Sequence, residues 1–563
     1  MTYRIDFSSP AHPRTLGRGA HAALVALMAV GLGACSAAST EENTGITGDT
    51  DGGSWSESSD SSGDGTTAGP TGSTGSGSDS DSGYGTDASG SGTTDPTGYD
   101  PTSDESTTGE PDPEETTDTT GEPMACDEQT EVVLYLSPDD SNSMSSPVQA
   151  RESVLGEVNY LNQVSIRPWE FMNYYTFDYP AAEVGKISLT TELLAVDPFV
   201  EGELQYIMQI GVGSESMTNE QRPPMNVTLV LDESGSMKGE PMAMLKESCR
   251  AIAASLKEGD NVSVVTWDTE NAVRLAGYQV EGPDDPMLLD VIEAITAGGG
   301  TDLHGGLQAG YQLAGQVFDP ERINRIVLIS DGGANVGVTS ADLIAEKAGA
   351  NDEDGIYMVG VGVGEVAGYN DYLMDTVTDL GKGASVFIPH EAEAWKIFNA
   401  QFVNTMAVAA RDVQVELTMP PGFDIVVFSG EEFSSDPSEI EPQHIAPNDA
   451  MVFHQQISTC APSLVTDETP IKVVARYKDA ITFEPFSIEQ TITFGDLLGV
   501  ASPNLLKGAA VFGYSEALSA RKSIDDEEIA EKLKAALDAL TAAEAALPGD
   551  PELAEIRSVL EQL

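Results

Sequence analysis

Three stretches of this chain end in hard oxygen donors, carboxylates and hydroxyls. Val227 to Met237 reads VTLVLDESGSM: an apolar run, then Asp232, Ser234 and Ser236. Ala297 to Leu303 reads AGGGTDL, a glycine run delivering Thr301. Arg325 to Gly333 reads RIVLISDGG, a second apolar run that stops at Asp331. Oxygen donors suit a hard divalent ion: Mg²⁺ is the expected one, with Ca²⁺ and Mn²⁺ as alternatives. Mg²⁺ wants about six oxygens and keeps waters where protein supplies fewer. Three of these donors are neutral, so most of the metal's charge would stay uncompensated and would attract an incoming carboxylate. Nothing in the set is a nucleophile with its base. The competing use of D-x-S-G-S is a plain strand ending in a helix cap, where Asp and Ser are commonplace.

The residues must be held by a sheet. Both apolar runs read as buried strands, and strands that end in ligands at their C-terminal edge belong to open α/β sheets. Between and after them the chain alternates. Helices are expected at Glu240–Leu256, Pro286–Ile295, Leu307–Val317, Ser340–Ala348, Tyr369–Leu380 and, as one long closing helix, Glu391–Ala410. Strands are expected at Val262–Trp267, Ala272–Val280, Ile356–Val363 and, at an edge, Ala384–Ile388. That order predicts a doubly wound, mostly parallel sheet with helices on both faces. Gly298, Gly299 and Gly300 let the backbone turn so that Thr301 reaches the site. Asp302 and His304, beside Thr301, are expected in a solvated loop.

Here the sequence resembles the von Willebrand factor type A (vWA) domain, whose metal-ion-dependent adhesion site is built from D-x-S-x-S, a distant Thr and a further Asp. The resemblance assigns Asp232, Ser234, Ser236, Thr301 and Asp331 as metal ligands. It implies that a protein partner supplies an Asp or Glu as the last one. A wider stretch, IRPWEFMNYYTFDYP followed by RPPMNVTLVLDESGSM, is similar to a group of bacterial vWA lipoproteins named calcium-activated chloride-channel homologues, akin to inter-alpha-trypsin-inhibitor heavy chains. A channel is not expected, because no later apolar run is long enough to span a bilayer.

Around that domain the 563 residues divide by composition. Residues 1–34 pair Arg4, Arg14 and Arg18 with a short uncharged apolar run, which describes a secretory signal. Leu-Gly-Ala-Cys resembles the bacterial lipoprotein box, which implies lipidation of Cys35; Ser36 after it favours the outer membrane. Residues 35–125 are Ser, Thr, Gly, Asp, Glu and Pro without Lys or Arg, an acidic tether too poor in large apolar groups to fold. Residues 126–222 read as a β-rich region with short helices, and 223–411 as the vWA domain. Residues 412–498 read as a β-sandwich and 499–563 as helices. The most aromatic stretch, Arg167 to Pro180, is expected to pack on a neighbouring sheet. The fold class is therefore multidomain α/β plus β, with a long disordered N-terminal linker. The strands of 131–212 could complete the 412–498 sandwich, with the vWA domain inserted between its halves.

A formal charge of −65 argues against nucleic acid or an anionic membrane surface as partner. Four cysteines exclude a disulfide scaffold. Cys249 reads as a buried apolar residue; Cys126 and Cys460 are left as either a disulfide, which export permits, or two thiols. No H-E-x-x-H, G-x-S-x-G or P-loop is present, and the six histidines are scattered. A non-enzymatic, envelope-tethered binding protein is the expectation. The alternatives are a structural envelope component with a stabilising metal site, and a metal-dependent hydrolase.

Overall fold

The computed structural model describes residues 126–138, 142–196, 204–332, 355–499 and 501–563, which belong to one compact unit. Cys35, the signal and tether segments and the helix expected at Ser340–Ala348 lie outside the described residues.

Three strands precede the metal-motif stretch: β1 (Val132–Ser137), β2 (Ser188–Val196) and β3 (Leu204–Gly213). The next six are β4 (Met225–Asp232), β5 (Asn261–Trp267), β6 (Asn271–Gln279), β7 (Ile323–Ser330), β8 (Ile356–Val363) and β9 (Ser385–Ile388). They form one sheet in the order β6-β5-β4-β7-β8-β9, parallel except for β6. β4 and β7 lie at its centre, buried along nearly their whole length, as the continuous apolar runs require of a sheet covered on both faces. Side chains alternate between faces. Leu229 and Leu231 of β4 pack with Leu245 and Ile252 of α3 (Glu240–Ser255 in the helix order below), while Val230 packs with Leu307 and Tyr311 on the other side.

The helices are α1 (Ser145–Leu155), α2 (Pro168–Tyr174), α3 (Glu240–Ser255), α4 (Pro286–Ala294), α5 (Leu303–Gln316), α6 (Asp371–Leu380), α7 (Glu391–Trp395), α8 (Phe402–Met406), α9 (Phe494–Leu497), α10 (Pro503–Ala520), α11 (Asp526–Ala546) and α12 (Pro551–Leu560). α5 starts four residues before the expected Leu307, because the Asp302 carboxylate accepts from Gly305 N at 3.0 Å and caps it. Asp302 is thus a helix cap and His304 part of a first helical turn, neither a solvated loop. The expected closing helix Glu391–Ala410 is interrupted. A π turn occupies Lys396–Ala400, α8 ends at Met406, and by Ala409 the backbone already pairs with Ile445 O at 2.8 Å. The chain leaves the sheet domain about five residues before the expected boundary at Arg411, because it must join the next strand. The helix expected at Gln149–Val164 is α1, shifted back to Ser145–Leu155 and ended at Gly156.

Strands on either side of this domain build one sandwich. β10 (Ala410–Met419), β11 (Phe423–Phe428), β12 (Glu432–Ser434), β13 (Gln443–Ile445), β14 (Ala450–Thr459), β15 (Pro470–Asp479) and β16 (Pro485–Thr493) follow the parallel sheet. One face is β12-β1-β10-β15-β16, with β13 also paired to β10; the other is β11-β14-β3-β2. Segments 126–222 and 412–498 therefore share one core, in which Met208 and Ile210 meet Val415 and Leu417. A Cys126–Cys460 disulfide with a Cα–Cα distance of 5.9 Å links the two segments covalently. Cys249 is a fully buried thiol, and burial pushes its pKa up to about 12.

The aromatic stretch packs mainly on helices, not on a sheet. Phe171 meets Tyr514 of α10 edge-on at 5.3 Å, and Tyr175 meets it at 6.4 Å. α10 and α11 bury Ala510, Ala517, Ala536 and Leu540 against this cluster. Arg151 of α1 ties the region together, pairing with Glu393 of α7 at 2.8 Å and Glu555 of α12 at 3.0 Å.

His454 on β14 gives the sandwich a dependence on acid. It is 5% exposed, and its Nδ1 lies 2.7 Å from Gln209 Oε1 across the β3–β14 pair. Gln209 Nε2 already donates to Tyr179 and to Asn504 O, so Oε1 accepts and Nδ1 carries the proton. Burial pushes the imidazole pKa down to about 3. Above the ordinary value of about 6.5 neither state is protonated; below it the unfolded chain takes a proton that the folded chain refuses. Stability is then lost at about 1.4 kcal/mol per pH unit as pH falls towards 3. Between pH 7 and 5, chemical denaturation of wild type is expected to lose roughly 2 kcal/mol more than that of His454→Gln. Equal losses in the two proteins would remove this account.

Candidate functional site

Asp232 is the last residue of β4 and Asp331 directly follows β7, the neighbouring strand, so two central parallel strands deliver both carboxylates to one edge. Asp232 is fully buried. Its Oδ1 accepts from Ser234 N at 2.8 Å and its Oδ2 from Ser330 Oγ at 2.7 Å. Burial pushes its pKa up to about 6; those hydrogen bonds oppose the rise, and the nearby Asp331 charge adds to it. Asp331 is 9% exposed.

After Asp232 the chain turns through a 3₁₀ segment, Gly235–Met237. Met237 is buried in the core and anchors the turn from below. Ser234 Oγ and Ser236 Oγ end 3.1 Å apart, Ser234 buried and Ser236 exposed. Gly239 follows with φ +92°, a conformation L side chains rarely adopt, and reverses the chain into α3.

The glycine run is pinned to the same edge. Gly298 N donates to Glu233 O at 2.7 Å, Gly300 N to Thr269 Oγ1 at 2.7 Å, and Asp302 N to Asp268 O at 2.7 Å. A Cβ on Gly235 would sit 3.2 Å from Gly299 O, and one on Gly299 would fall 2.3 Å from Asp268 Oδ2. Both glycines are therefore needed for the approach of the loops. Thr301 lies between two pinned neighbours and is exposed. Asp232, Ser234 and Ser236 are in direct or single-step contact, Asp331 is electrostatically coupled to Asp232, and Thr301 rides on the loop held against them.

Sequence reasoning missed Ser330. It precedes Asp331, donates to Asp232 and accepts from Gly332 N at 3.1 Å, so it orients the buried carboxylate. The signal available was a hydroxyl ending an otherwise apolar strand. It also missed Arg274 of β6, which reaches Glu233 at 2.8 Å and so brings a guanidinium close to the motif, although already ion-paired. Among the described residues no three His, Cys, Asp or Glu side chains converge as a metal cluster. This arrangement is of another kind: two carboxylates completed by hydroxyls. A buried carboxylate resisting ionisation, a second one beside it and two adjoining hydroxyls, Ser234 buried and Ser236 exposed, fit a hard cation.

Residues 227–334 match the family described as the von Willebrand factor type A domain. Over 268 residues the chain is 26% identical to uncharacterized protein YfbK of Escherichia coli, covering 46% of each. Over 158 residues it is 28% identical to human inter-alpha-trypsin inhibitor heavy chain H2, covering 27% of this chain and 16% of that one. The chain spans about half the length of the bacterial relatives it matches. A solved von Willebrand factor type A protein from Catenulispora acidiphila superposes with a TM-score of 0.43 at 16% identity, over 66% of this chain and 89% of that one.

Proposed function

From a chain whose residues 227–334 are a von Willebrand factor type A domain, homologous to YfbK and to inter-alpha-trypsin inhibitor heavy chains, we propose a binding protein that captures an acidic residue of a protein partner through a divalent cation. Asp232, Ser234, Ser236, Thr301 and Asp331 would hold the ion, Mg²⁺ before Ca²⁺ or Mn²⁺. The observation that carries this reading is the buried Asp232 carboxylate, oriented by Ser330 and set beside the Ser234–Ser236 hydroxyl pair. The bound cation supplies a centre of positive charge for the partner's carboxylate. The chain's own part is to orient Asp232, to hold the Ser234 and Ser236 hydroxyls together and to fix Thr301 between pinned neighbours. The relatives and the donor set support interaction over catalysis. In this reading Cys35 carries a lipid, residues 35–125 extend the folded body from the outer membrane, and the −65 charge keeps it away from nucleic acid. No helix among the described residues is long and apolar enough to cross a membrane.

Titrating residues 126–563 with MgCl₂ or MnCl₂ in a calorimeter tests the site. One saturable site is expected, weakened roughly tenfold or more in Thr301→Ala by loss of one ligand. Identical isotherms for the two proteins would remove Thr301 from the set. The structural alternative predicts the same cation binding with no Mg²⁺-dependent, chelator-reversible capture of an envelope protein.

A further inference from the structure

A second site lies at the opposite edge of the parallel sheet, where the chain enters and leaves it. There a cavity of about 180 Å³ opens between the sheet domain and the sandwich. Arg325, the third residue of β7, lines it and is 5% exposed. Its Nε donates to Met406 O at 2.8 Å, while Nη1 and Nη2 take no partner among the described residues. Its guanidinium lies 5.4 Å from the centre of the Tyr357 ring on β8, and the Arg411 guanidinium lies 4.8 Å from the same ring. The charged group acting on Arg325 is thus a second cation. Burial, with Arg411 adding to it, pushes the Arg325 pKa down to about 9.

Among the described residues no carboxylate of the cavity wall bonds to Arg325; Asp479 acts electrostatically on Arg411 instead. Glu215 accepts from Gly185 N, and Asp479 accepts from Ile481 N at 3.0 Å and Thr482 N at 2.7 Å, so both are engaged on the loops that carry them. Glu321 is exposed. The same end of the domain shows what a satisfied buried arginine looks like. Arg222 meets Asp260 through two hydrogen bonds of 2.9 and 2.6 Å. In a chain with 92 acidic against 27 basic residues, a buried guanidinium that meets no carboxylate among the described residues is conspicuous. A buried charge normally requires a counter-charge and hydrogen bonds. A guanidinium whose two amino groups take no partner among the described residues presents the planar fork that matches a carboxylate. Met217, Ile323 and Phe483 also line the cavity and give it an apolar wall.

We propose that this cavity binds a short-chain carboxylate, its head group paired with Arg325 beside Tyr357 and its tail against Met217, Ile323 and Phe483. The site joins β7, β8, the entry from β3 into β4, the exit from α8 into β10, and the turn between β15 and β16. A bound carboxylate would therefore fasten the domain to its sandwich.

The test is titration of the full chain with sodium butyrate in EDTA, with acetate and chloride at matched ionic strength; chelation keeps the result independent of the cation site. Saturable butyrate binding is expected, tighter than acetate and accompanied by a rise in melting temperature that chloride does not give. Arg325→Met is expected to weaken it roughly 10- to 100-fold, the worth of hydrogen bonds to a charged group. Phe483→Ala, which leaves the buried charge in place, is expected to weaken butyrate more than acetate. No saturable butyrate binding by wild type overturns the proposal. So does wild-type affinity in folded Arg325→Met, or an equal effect of Phe483→Ala on both acids.

Discussion

Asp232→Ala is expected to abolish saturable cation binding, a loss of more than about 100-fold, while the cation-free chain melts within a few degrees of wild type. The two halves of this expectation have one cause. Asp232 is fully buried, and burial alone makes its charged form costly, which the raised pKa of about 6 reports. Without a metal that cost is opposed by Ser330 Oγ and by the backbone and side chain of Ser234. Removing the carboxylate forfeits two hydrogen bonds, each worth about 1 kcal/mol net, and relieves a desolvation penalty of similar size. In the proposed site the carboxylate would be one of two anionic ligands, beside Asp331. Calorimetric titration with MgCl₂ and melting in EDTA separate the halves. Retained binding would show that the ion sits elsewhere; collapse of the cation-free mutant would show that Asp232 serves the fold.

The largest expected loss of stability lies at the other end of the same strand. Arg222 and Asp260 form an ion pair in which both side chains are 0% exposed. Asp260 also accepts from Met225 N at 2.7 Å and Lys257 N at 2.9 Å, which pins the start of β4 to the turn before β5. Arg222 further donates to Asn219 Oδ1 at 2.7 Å and lies over the Phe402 ring. Arg222→Met leaves a buried carboxylate without its hydrogen-bonded counter-charge, a change that costs about 3–5 kcal/mol. Arg250→Met, which breaks a half-exposed pairing with Glu293, is expected to cost less than about 1 kcal/mol. Denaturant unfolding of the two variants checks the contrast. Comparable losses would mean that the buried pair is worth no more than a surface one.

What could be read from the sequence follows from the range of the interactions. The strand-carboxylate-hydroxyl pattern of 227–237 is local, and so is the arrest of β7 at Asp331; each needs only a continuous apolar run and its last residues. The Thr301 loop was readable because glycines mark a close approach, here that of Gly299 to Asp268. The rest depends on partners far along the chain. Ser330 matters only because β7 lies beside β4. Arg222 finds Asp260 across 38 positions and Arg151 finds Glu393 across 242. The end of the expected helix near Ala410 is not set by its own residues, which suit a helix. It is set by Ala409 pairing with Ile445 and β10 with β1 and β15. The aromatics of α2 announce burial in any context; that helices rather than strands would cover them was decided by Tyr514, more than 300 residues away.

The insertion of the sheet domain between β3 and β10 has a mechanical consequence. A pull on the cation edge reaches the remainder of the protein through two covalent connections at the opposite edge, loaded side by side. Each ends in an interior strand: β3 lies between β14 and β2, and β10 between β1 and β15. Extracting either strand lengthwise means shearing two antiparallel ladders together rather than peeling one hydrogen bond at a time. The Cys126–Cys460 crosslink closes the same sandwich behind them. The sheet domain is thus attached to its sandwich through two interior strands, each held on both sides, rather than through a single terminal strand that could be peeled away.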